Sequence, residues 1–178
     1  VSRGLGDVYK RQEKLHMKEL EHEGMVPFCE ACRAYRFPIF STAISMVTLN
    51  PKRDKILMIQ QYGKPNNILV AGYVNKEECA EDAMIREMQE EIGRKVLEYR
   101  FLRSEYFPKT NTLIFNFAVV IDSECLENVS TWEVDRAAWF TFDEAKASVK
   151  PASLAQRFLL NFLSVYERDA EHFFIRHC

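Results

Sequence analysis

The sequence predicts an α/β fold in which a mixed sheet lies between helices. Three observations carry this. Runs rich in β-branched, aliphatic and aromatic residues recur at 41–49, 55–61, 96–107, 112–122 and 132–142, the pattern of strands. One capped segment of helical period, from Asn75 to Gly93, lies among them. A second apolar stripe at helical spacing follows Pro151-Ala152-Ser153: Leu154, Phe158, Leu159, Phe162, Leu163 and Tyr166. Strands around a central helix, with a closing helix, make a sheet with helices packed on it.

The chain of 178 residues is long enough for one domain with a sizeable core and a small appendage. Its hydrophobic share of 47% and charged share of 28% are those of a globular protein. A net charge of -2 supplies no global basic field, so nucleic acid is not expected as the main partner. No apolar run approaches the roughly 20 residues that span a membrane. Five cysteines at irregular spacing argue against a disulfide framework, and the expected compartment is the reducing cytoplasm.

Residues 1–12 have neither helical nor strand period and are read as a non-native or disordered tail. Residues 13–40 hold Cys29 and Cys32, a Cys-x-x-Cys spacing that forms half of a zinc knuckle. A structural zinc needs four ligands, and His16 and His22 stand at no recognised spacing to the pair, so the segment reads as a partial zinc-ribbon-like unit. The domain proper is expected over residues 41–170. Residues 41–49 and 55–61 should form a hairpin across the turn Asn50–Asp54. Residues 63–67 read as a loop and 68–70 as a short strand. Asn75 with Glu78 gives a capping-box-like start to the central helix, and Gly93 ends it. Ala80, Ala83, Met84, Met88 and Ile92 form its apolar stripe. Cys79 is expected as a packed thiol. Residues 108–111 read as the turn between two strands, and residues 143–148 as a short helix capped by Asp143. Phe173, Phe174 and Ile175 read as core cover or a dimer contact.

The chemistry concentrates in the central helix. Seven acids fall between Glu77 and Glu91, with Arg86 the single base among them. Glu87, Glu90 and Glu91 are spaced i, i+3, i+4, which places three carboxylates on one helix face. Like charges so placed repel by roughly 0.2–0.5 kcal/mol per pair. A hard divalent cation with oxygen ligands is the natural partner of such a face.

The run Gly72, five residues, Glu78, seven residues, Arg86-Glu87-Met88-Gln89-Glu90-Glu91-Ile92-Gly93 resembles the signature of the Nudix hydrolases. Only Arg94 departs, standing where the family has an aliphatic residue. The resemblance implies a Nudix-type α/β/α sandwich and hydrolysis of a nucleoside diphosphate linked to another group, with Mg²⁺ or Mn²⁺ as cofactor. By position it implies Glu87 and Glu91 as metal ligands, Glu90 as a further ligand or water-positioning group, the Ala71 carbonyl as a backbone ligand, Arg86 as the residue that orients a glutamate, and Glu78 near the helix start. Glu133, six residues before Trp139, resembles a further metal ligand of the NADH pyrophosphatase branch. So does the order of a Cys-x-x-Cys pair, the stretch Tyr35–Pro38 and the catalytic domain. That branch's substrate signature, Ser-Gln-Pro-Trp-Pro-Phe-Pro, is eroded here: Ser104 and Pro108 match, and Phe107 is an aromatic replacement. Ala155 corresponds to a later substrate-side loop. The resemblance further implies a small-molecule nucleotide substrate and a homodimer. A nucleotide sensor without turnover is the alternative.

Overall fold

A computed structural model describes residues 14–174; the tail reading for residues 1–12, and Ile175, lie outside them. The chain divides into two compact units, residues 1–39 and 40–178. In the first, β1 (His16–Leu20), β2 (Gly24–Cys29) and β3 (Ala34–Tyr35) form an antiparallel sheet in that order. Its core is small: Val26, Phe28 and Cys29 are buried, and Phe28 packs edge-on against His16 and Tyr35.

The second unit is a six-stranded mixed sheet built from β4 (Ser41–Leu49), β5 (Lys55–Gln60), β6 (Val70–Tyr73), β7 (Val96–Phe107), β8 (Thr112–Ile121) and β9 (Arg136–Thr141). The order is β7-β8-β4-β5-β9, with β6 also on β4. β4 runs parallel to β8, and the other pairings are antiparallel. The helices are α1 (Ala80–Glu87), α2 (Phe142–Ser148) and α3 (Leu154–Tyr166).

Strand alternation explains the two cores. Val47, Leu49, Ala118 and Val120 point to one face and meet Phe158, Leu159 and Phe162 of α3. Ile44, Met46, Phe117 and Val119 point to the other and meet Ala83, Met84, Met88 and Ile92. The sandwich expected from the sequence is therefore present. Phe173 is the core cover: it is 1% exposed and packs on Phe162 and Tyr166.

The hairpin turn is pinned by Asn50, fully buried. Its side-chain oxygen accepts from the Asp54 and Lys55 N–H groups, and its amide donates to Asp54 and Glu124.

Several boundaries correct the sequence expectations. The short strand begins at Val70 rather than Ile68, which makes only an isolated bridge to Ile59. The strand expected from Trp132 starts at Arg136; Trp132 is in a loop, 92% exposed. Thr141, not Asp143, caps α2, because its hydroxyl and the Glu144 carboxylate complete a reciprocal capping box. Asn75 does not cap α1: the helix starts after Cys79, and Asn75 and Glu78 instead close the turn before it. Cys79 is exposed rather than packed, with its thiol on Asp82.

Candidate metal and catalytic centre

α1 continues directly into a π-helical turn, Met88–Ile92, that ends at Gly93 in the left-handed region, φ 69°. The wider turn changes the expected acid face. Glu87 and Glu91 turn inward and are 9% and 3% exposed, while Glu90 stays outside. The three carboxylates thus do not share one solvated face. π-Turns within helices concentrate at functional sites.

Gly72 and Glu87 meet closely. A Cβ on Gly72 would lie 2.0 Å from the Glu87 carboxyl carbon, so only glycine leaves room for that side chain. Ala71, the expected backbone ligand, precedes it on β6, opposite Ser45.

Arg86 is the hub of the acids. It donates to both oxygens of Glu78 at 2.7 and 3.0 Å, to Glu87 at 2.7 Å, to Glu90 at 2.9 Å and to the Tyr73 carbonyl at 2.9 Å. These charged hydrogen bonds, Glu78 foremost, raise the arginine's pKa. The Arg86 guanidinium, then the Asn75 N–H, holds the Glu78 carboxyl below its usual range. Burial pushes Glu87 upward against the pull of Arg86.

Glu91 has no such cation. Burial first, then the charges of Glu87 and Glu133, push its carboxyl up to about 8. One oxygen accepts a long hydrogen bond from Gln61 at 3.4 Å. The other is buried without a partner. A buried, partnerless carboxylate oxygen facing two more acids is a fit for a hard cation, which supplies the missing charge and takes oxygen ligands. Among the described residues no three acids, histidines or cysteines already converge in ligand geometry. Arg86 accounts for this, since it draws Glu87 and Glu90 onto itself.

Gln61 was missed in the sequence because a glutamine after a strand carries no motif. Arg94, the position out of pattern, has a structural role: its guanidinium donates to the Cys125 carbonyl at 2.6 Å and holds the loop that leads to Glu133. Trp139 is core-facing and donates to the Glu124 carbonyl.

The expected substrate residues are divided by the sheet. Ser104 pairs with Phe115, which packs on the α1 side, whereas Glu105 pairs with Ile114, which packs on the α3 side. Phe107 follows Glu105 on the α3 side by alternation, and Pro108 begins the next turn. Arg157 of α3 pairs with Glu105, which brings the first turn of α3, with Ala155, to this end of β7. Phe107 and Ala155 therefore share a face that Ser104 does not. An open cleft of about 590 Å³ lies beside Phe40, Tyr73, Lys76 and Glu78, but Glu87, Glu90, Glu91 and Glu133 do not line it.

In the first unit Cys29 is buried and Cys32 exposed. The Cys32 backbone N–H and thiol lower the Cys29 pKa. His16 and His22 stand on Glu30 and Glu21. The zinc site expected from Cys29 and Cys32 is not shown: both are free thiols, and the described residues offer no group of three His, Cys, Asp or Glu that could hold a metal.

Comparison with known proteins bears on the fold and the family. The chain is similar to the NAD-capped RNA hydrolase NudC of Mycobacterium tuberculosis (strain H37Rv), 31% identical over 115 residues, which is 64% of this chain and 36% of that protein. It is similar to the NAD-capped RNA hydrolase NudC of Escherichia coli O9:H4 (strain HS), 25% identical over 146 residues, 80% of this chain and 55% of that one. The chain thus spans only about a third to a half of these curated relatives. In structure it resembles a NUDIX hydrolase from Nitrosomonas europaea with a TM-score of 0.60 and 20% identity, covering 71% of this chain and 90% of the other; at that identity the likeness is one of fold. The NUDIX domain model matches residues 40–160, the whole of the sheet and the acidic helix, and the chain belongs to that family.

Proposed function

We propose that this protein hydrolyses, with a divalent cation, the pyrophosphate bond of a nucleoside diphosphate linked to another group, with NAD(H) and related dinucleotides in that class. The observation that carries the reading is the buried Glu91 carboxylate, partnerless at one oxygen and pressed by Glu87 and Glu133, within a box that lacks none of its glutamates. Glu87, Glu91 and Glu133, with Glu90 and the Ala71 carbonyl, are the residues that would hold Mg²⁺ or Mn²⁺. Such a cation, when bound, offsets the charge on the diphosphate and acidifies water.

The chain's own residues do the rest. Arg86 fixes Glu87 and Glu90 in one orientation. A carboxylate of the cluster, Glu91 or Glu87 ahead of Glu90, takes the proton of the attacking water. The fold keeps Glu91 from bulk water, which strengthens each charge interaction around it. The similar proteins from Mycobacterium tuberculosis and Escherichia coli are NAD-capped RNA hydrolases, so an NAD cap is a substrate to test. The eroded run at Ser104–Pro108 argues for a substrate preference of its own.

The experiment is an assay with Mn²⁺ against NADH, ADP-ribose, diadenosine polyphosphates, oxidised nucleoside triphosphates and RNA carrying a 5′ NAD cap. Mononucleotide or 5′-monophosphate products are expected from at least one, and chelation should abolish them. Measurable nucleotide binding with no product from any of them would replace this reading with the sensor.

A further inference from the structure

Two aromatic side chains stand apart from every packing role in the fold. Trp132 is 92% exposed and Tyr62 73%, more than any other Phe, Tyr or Trp of the described residues. Exposing rings this large forgoes burial that the same residues normally gain. Each is next in sequence to a residue that acts on Glu91. Tyr62 follows Gln61, whose amide donates to Glu91. Trp132 precedes Glu133, whose charge acts on both Glu87 and Glu91.

The two loops are also tied to each other. They leave the same end of the β5–β9 pair, where Gln60 faces Arg136. The Asp135 N–H donates to the Gln60 carbonyl at 2.8 Å, and its carboxylate accepts from the Gly63 N–H at 2.6 Å. Between these anchors Tyr62 is held at φ 57°. A tyrosine in the left-handed region is strained, and such strain persists where surrounding contacts impose it, often at ligand-contacting positions. The loop that carries Trp132 is anchored separately: the Ser130 N–H donates to the Glu91 carbonyl at 2.8 Å, and the Val134 N–H to the Ser130 carbonyl.

We propose that Tyr62 and Trp132 form an aromatic platform that stacks on the planar base of the nucleotide whose diphosphate is held at Glu87, Glu91 and Glu133. This rests on the hydrolase reading for the placement of the diphosphate. A π-face takes any planar base, so the platform contributes affinity without choosing among adenine, nicotinamide or another ring.

The test uses the whole chain. Of its two tryptophans, Trp139 is packed and Trp132 exposed, so acrylamide quenching of the intrinsic fluorescence reports Trp132. With Ca²⁺ in place of Mg²⁺, AMP and NADH should protect the wild-type fluorescence from acrylamide, and ribose 5-phosphate should not. The Trp132→Phe variant, which lacks the reporter, serves as the blank. In turnover with Mn²⁺, Trp132→Ala and Tyr62→Ala should each raise KM for a base-bearing substrate about tenfold, with far smaller changes in kcat, and the Phe variants should recover most of the loss. Unaltered quenching with every base, or an unchanged KM in both Ala variants, overturns the proposal. So does quenching that changes with protein concentration alone, which would make Trp132 a contact between copies. Protection by nucleotide in a protein that hydrolyses nothing defeats the hydrolase reading and leaves the platform standing.

Discussion

Gly72 serves the site by what it excludes. Its backbone needs no left-handed conformation; its position has no space for a side chain, because a Cβ would overlap the Glu87 carboxyl at 2.0 Å. A Gly72→Ala variant should therefore fold and still lose activity by about a hundredfold, since a displacement of ~1 Å in a catalytic group is worth that much. The check is kcat beside a thermal melt: near-wild-type stability with a collapsed kcat is expected, and full activity would show that Glu87 moves freely. Glu91 makes the opposite case for stability. In chelator, Glu91→Gln removes a buried carboxylate that meets other acids, and should raise stability by roughly 1–3 kcal/mol, a shift of several degrees. The same variant should lose at least about a hundredfold in rate and most of the stabilisation that Mn²⁺ confers on the wild type. A Glu91→Gln protein that melts below the wild type in chelator would mean that Gln61 already satisfies this carboxylate.

Helix ends and turns hold the site at the scale of elements. Gly93 combines φ 69° with close approach to Asn128, whose Cβ and carbonyl oxygen lie 2.7 and 2.8 Å from any added Cβ. Gly93→Ala should cost about 1–3 kcal/mol of stability by urea unfolding and reduce activity through the loop that carries Glu133. At α2 the capping box predicts a pH dependence. The Thr141 backbone N–H, then its hydroxyl, holds the Glu144 carboxyl below its usual range. A lowered folded-state pKa gives stability that is present above the unfolded value and is lost as pH falls through the folded one. Glu144→Gln should therefore destabilise at neutral pH, and the gap from wild type should close as the carboxylate protonates; a gap independent of pH would count against the box. These elements also show what the sequence could disclose. Long strands at 41–49 and 96–107 were legible because β-branched and apolar runs that length have few other uses. The start of α1 was not, because Asn75 and Glu78 satisfy a cap rule and a turn before the helix equally well. The π-turn was invisible: one extra residue per turn leaves no composition signature, and it decides which glutamates go inward.

On the scale of the molecule, the box could be read from one sequence because phosphoryl chemistry demands charged residues at fixed spacing, while the arrangement of Gln61, Asp135 and the loop at Ser130 depends on contacts between residues far apart in sequence, such as Gln61 with Glu91 and Asp135 with Gln60, that no spacing rule reports. The same distinction separates the two units. Every residue of both hydrophobic clusters, and every acid of the centre, lies beyond residue 40. The sheet's two faces are each covered by helices of the second unit itself, so its cooperativity has no requirement for Cys29, Cys32 or the three-stranded sheet. A fragment of residues 40–178 should unfold in a single calorimetric transition, with a midpoint within a few degrees of that transition in the whole chain, and should bind Mn²⁺ with the same affinity. The full chain should show an added, smaller transition when the first unit melts by itself, since few buried side chains hold it. A fragment that unfolds without cooperativity, or that loses Mn²⁺ binding, would place part of the catalytic unit's stability in residues 1–39.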